Sequence, residues 1–203
     1  MDFPDFFNKA PIVTLHDPLA GFLGASASGV MTYCYADAAK LAGHSCPTVA
    51  GAYLMIRKGL AWLCGNELPE RGGIEAHMRD ARDEGTTGVV AAIATLLTGA
   101  APENGFGSIG AGRYSLHFDA PIIGLMALLR RDTGMEVHLD LDVPRVQRDA
   151  AMRMLFPKVA AGSADGQEQA RFATHWQDRM ARMLLDHADD PEFVRVAAWQ
   201  AAA

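Results

Sequence analysis

The sequence predicts an α+β protein, a mixed or antiparallel sheet packed with helices, carrying a helical C-terminal appendage. Three observations predict it. Apolar and polar residues alternate strictly along Ile74–Glu75–Ala76–His77–Met78 and again along Met135–Leu141, the period of a half-buried strand. Pro47–Gly65 has a different period: Val49, Ala52, Tyr53, Ile56, Leu60 and Leu63 recur at three- and four-residue spacing, as in a helix. From Pro144 onward the text reads as wholly helical, with Phe172, Trp176, Met180 and Leu184 stepping by four along one stripe. The expected division is therefore a metal-binding α+β domain over 1–142, its core about 30–142, and a helical extension over 143–203 that packs on it.

Taken in order, residues 1–29 form an entry segment and VMTYCYADAAKLAGH follows. Pro47 suits the first position of a helix, where its fixed φ is pre-set and its missing N–H costs nothing, and Gly65 suits the end. Asn66–Gly73 is a loop. Gly88–Gly99 is nearly all apolar and reads as a buried helix, its Val89–Val90 start leaving a strand open. A glycine run, GFGSIGAG at 105–112, lacks the lysine and hydroxyl of a phosphate loop and reads as a turn. RYSLHF then alternates as a strand. IIGLMALLRR, the turn DTG and MEVHLDLD make a hairpin with Val137, Leu139 and Leu141 facing inward; His138 on it, and His117 on the preceding strand, face water or a partner. In the turn, Arg130 and Arg131 either grip an anion or pair with neighbouring acids.

Composition bounds the function. The chain has 203 residues, 50% hydrophobic and 21% charged, which is ordinary for a globular protein with a sizeable core. A net charge of −6 without a basic patch argues against nucleic acid as a partner. The longest apolar run, 88–101, is shorter than the ~20 residues that cross a bilayer, so no membrane partner is expected. Cys34, Cys46 and Cys64 are odd in number and form no CxxC pair, and the N-terminus has no cationic, apolar leader; a cytoplasmic location is expected. Neither GxSxG, HExxH nor CxxCH occurs.

One short segment concentrates chemistry: Gly43-His44-Ser45-Cys46-Pro47-Thr48. A cysteine before an N1 proline lies at a helix mouth, where free amides and the helix dipole favour the thiolate. His44, two residues upstream, can reach the same point, and a thiolate with an imidazole suits Zn²⁺ or a similar divalent metal. The bland alternative is a small core cysteine beside a capping histidine.

The segment LAGHSCPTVAGAY resembles the GHxCPxxxxG signature of the FmdE-like family, which comprises the E component of formylmethanofuran dehydrogenase and its bacterial relatives. The likeness continues through DEGTTGVVAAIATLLTGA at 83–100 and spans roughly 33–120. It implies an α+β fold, a homodimer, and a metal near His44 and Cys46. The family's second block carries a CxxD pair where this chain has Val89 and Ala92, and a further histidine stands in relatives where this chain has Ala42. A third ligand must come from elsewhere. His16, beside Asp17, either completes the site or sits next to a helix cap. His77, on a polar strand face, is another candidate. Glu84, before the next helix, is a candidate ligand or general base, although acids there also complement the helix dipole.

Three functions follow as expectations. The first is a metal-binding protein of the FmdE-like kind, with room for a small-molecule ligand at the metal and no organic cofactor identified. The second is a metal-dependent hydrolase- or lyase-type enzyme that activates water at the same site. The third is a non-catalytic accessory or scaffold protein within a larger assembly.

Overall fold

The computed structural model describes residues 2–103, 105 and 114–199. Along the chain come β1 (Val13–His16), α1 (Pro18–Phe22), β2 (Val30–Tyr33), α2 (Tyr35–Ala42), α3 (Pro47–Cys64), β3 (Ile74–Met78), α4 (Thr87–Thr98), β4 (Leu116–His117), β5 (Met126–Arg130), β6 (Met135–Leu141), α5 (Ala150–Ala160), α6 (Gly166–Ala181) and β7 (Val194–Trp199). The α+β class is as the sequence predicts. Most of the glycine run at 105–112 lies outside the described residues.

α3 is the organising helix. Pro47 occupies its first position and Gly65, at φ 55°, ends it, as the sequence predicts. Val49–Ile56 are all buried, so the helix is enclosed rather than amphipathic. It lies across one face of a five-stranded sheet of order β4-β3-β5-β6-β7, in which β4 runs parallel to β3 and every other pair is antiparallel. Ile74, Ala76 and Met78, Met126 and Leu128, and Val137 and Leu139 point at the helices and are all at most 1% exposed. α4 packs beside α3 on the same face and ends at Gly99 in the left-handed conformation.

The opposite face follows from the same register. Across β3, β5 and β6 one row reads His77, Ala127, His138 and the next Glu75, Leu129, Glu136. Alternation along each strand turns these residues away from the core.

Three local expectations change. The segment 143–203 is not wholly helical: Val194–Trp199 leaves the helices and pairs antiparallel with β6. Its Val194 and Val196 are β-branched, and β6 offers an unpaired edge that backbone hydrogen bonds must fill. The hairpin's first strand starts at Met126 rather than Ile122, because Gly124 at φ 82° turns the chain. His138 does not face water; it is 6% exposed. The 119–125 segment crosses it, Ile123 N donating to its Nδ1 at 3.0 Å, and its Nε2 meets Glu136 Oε1 at 3.0 Å. Within the entry segment, β1 pairs antiparallel with β2 as a separate two-stranded sheet.

Candidate metal centre

The GHSCP loop is held firmly. Gly43 ends α2 at φ 75°. Tyr35 Oη and Ser45 Oγ lie 2.7 Å apart, and Trp176 Nε1 on α6 donates to the Ser45 carbonyl at 2.8 Å. Cys46 is the N-cap of α3, half-buried and packed against the core. His44 is exposed, with its Nδ1 2.9 Å from the Ala42 carbonyl. Its ring borders a cavity of about 300 Å³ together with Phe3, Phe7 and Gln177.

The donors at this helix mouth number two. Among the described residues, neither His44 nor Cys46 belongs to a set of three His, Cys, Asp or Glu ligand atoms lying within 4.8 Å of one another. A closed zinc site needs four protein ligands and an open one three, so these two residues do not fit a metal without further donors. His16 lies on β1, its backbone N–H donating to Pro69 O and its carbonyl accepting from Arg71 N, with its ring beside Gly29. Asp17 caps α1 by accepting from Leu19 N and Ala20 N, which is the local-cap alternative for that pair. Glu84 is exposed in the turn before α4. Its backbone N–H donates to Ala81 O and its carbonyl accepts from Thr87 N.

His77 has partners of a different kind. Because β4 lies parallel to β3, register sets His77 directly beside His117. Their rings stack with centroids 4.8 Å apart and planes 29° apart. Two residues back on β3, Glu75 shares the face, its Oε2 3.6 Å from His77 Nε2 and 4.0 Å from His117 Nε2. Bonds of about 2.0–2.2 Å at tetrahedral angles put donor atoms roughly 3.3 Å apart, so modest side-chain rotation brings all three onto one ion. Among the described residues this is the one set of three such ligands within 4.8 Å of one another.

The surroundings leave the His77 ring available as a ligand. Burial, and then the neighbouring His117, push the His77 pKa below the usual histidine value, against the pull of Glu75. A neutral imidazole is the form that binds metal. Beyond the triad, Arg131 Nε lies 3.5 Å from the other Glu75 oxygen, Oε1. Strand alternation alone puts His77 on the polar face. It leaves His117 facing water or a partner, because the β3 neighbour of His117 lies forty residues earlier and no local pattern encodes that pairing.

In comparisons with protein-family models, curated proteins and solved structures, nothing matches this chain.

Proposed function

We propose that this protein binds a divalent transition metal, Zn²⁺ or a close analogue, through Glu75, His77 and His117. The observation that carries the reading is the convergence of two imidazoles and one carboxylate on the outer face of the sheet. Two nitrogens and one oxygen are a donor set that zinc accepts at open sites, where the remaining position takes water or a ligand. An ion so held lowers the pKa of bound water, which is the chemistry a hydrolase- or lyase-type enzyme needs. The likeness to the FmdE-like family supports metal binding in general. The centre that likeness implies, His44 with Cys46, is the competing location, favoured by a loop that Tyr35 and Trp176 hold in place.

Metal analysis after dialysis separates the two. The wild-type chain is expected to retain about one ion, the His77→Ala, His117→Ala double variant to bind at least a hundredfold more weakly, and the His44→Ala, Cys46→Ser double variant to match the wild type. The reverse pattern moves the centre to the helix mouth. Metal content unchanged in both variants defeats metal binding at either place.

A further inference from the structure

Resting on that metal-binding reading, we propose that the loaded site captures a small oxyanion, a carboxylate or a phosphate, gripped jointly by the ion and the Arg131 guanidinium. Three protein donors leave at least one coordination position for an outside ligand. What stands next to that position decides which ligand it takes.

Glu75 divides its carboxylate. Oε2 faces the two histidines, whereas Oε1 faces Arg131 Nε at 3.5 Å. The rest of the Arg131 fork, Nη1 and Nη2, bonds no described residue. Its neighbour Arg130 shows the contrast. That guanidinium is spent on Asp132, Glu67 and the Leu63 carbonyl, and it locks the hairpin turn. Arg131 therefore keeps a planar pair of donors whose spacing matches two oxygens of a carboxylate or phosphate.

Charge favours the same ligand. A divalent ion and the Arg131 guanidinium stand on either side of one carboxylate, Glu75, so a second negatively charged group is the complementary ligand. Access is open as well, since the side chains of His117 and Arg131 are 48% and 42% exposed. In the metal-free protein Arg131 faces the Glu75 carboxylate, its one ion-pair partner among the described residues, so the oxyanion is expected to need the ion.

The test uses the full chain loaded with Co²⁺, whose visible absorption reports its coordination shell. Inorganic phosphate and acetate are titrated separately into wild type, Arg131→Ala and Arg131→Lys. At least one anion should perturb the spectrum of the loaded wild type, bind at least tenfold more weakly to Arg131→Ala, and recover in part in Arg131→Lys, which restores charge without the fork. Phosphate alone, acetate alone or both identifies the geometry captured. The proposal is overturned if Co²⁺ binds normally yet neither anion changes its spectrum, if Arg131→Ala binds the anion as well as wild type, or if metal-free protein binds it equally. Failure of the wild type to bind Co²⁺ at all removes the metal-binding reading itself, and this inference with it.

Discussion

Gly59 sits where α3 crosses the sheet, and a Cβ there would lie 2.7 Å from Leu128 Cδ1 and 2.8 Å from Leu139 Cδ1. Both leucines are fully buried, so moving either methyl away means repacking its neighbours. Two effects oppose each other in Gly59→Ala. Alanine gains about 1 kcal/mol of helix propensity. Overpacking a close-packed core costs about 1–3 kcal/mol. The overpacking wins, and thermal unfolding should show a lower Tm, by about 2–4 °C for each kcal/mol lost. An unchanged or raised Tm would mean that α3 can lift off the sheet without penalty. The same scale holds the candidate site, since the separation of His77 and His117 rests on one register pair.

At the scale of elements, β7 depends on a polar knot just before it. Asp190 accepts from Arg145 Nε at 2.7 Å, His187 Nδ1 at 2.9 Å and Glu192 N at 2.9 Å, while its carbonyl takes Lys58 Nζ, Phe193 N and Val194 N. The Arg145 guanidinium first, and His187 next, hold the Asp190 carboxyl well below the usual carboxylate range. The folded state thus releases this proton more readily than the unfolded chain. The stabilisation is fully present above the ordinary aspartate pKa of about 3.9 and is lost as the pH falls below it. Asp190→Asn should therefore lower stability at neutral pH and flatten its decline below about pH 4 in urea titrations. An acid limb identical to that of wild type would show that the knot is not formed in solution.

For the whole molecule, the C-terminal segment packs into the interior that α3 and the sheet enclose. Met180, Met183, Leu184, Phe193 and Val194 are fully buried in the same cluster as α3 and the sheet. Burying each such side chain contributes about 1.5–3 kcal/mol, and together they rival the ~5–15 kcal/mol by which a domain is stable. A chain ended after Asp142 is accordingly expected to lose its cooperative thermal transition by circular dichroism. A sharp transition in that fragment would show that residues 1–142 fold without the C-terminal segment. Among the described residues no helix is long and apolar enough to cross a membrane.

Local chemistry was enough for the elements whose signals are local. The bounds of α3 follow from Pro47 and Gly65, the inward set of β6 from simple alternation, and α4 from an apolar run closed by Gly99. Sterics and amphipathic period act within a few residues, so one stretch of chain carries the whole instruction. Only the folded chain decided that Val194–Trp199 is a strand, that His138 is covered, and that His117 stands beside His77 with Glu75. Each of these depends on a backbone partner far away in the chain, and the energy of strand pairing exists only once that partner has arrived.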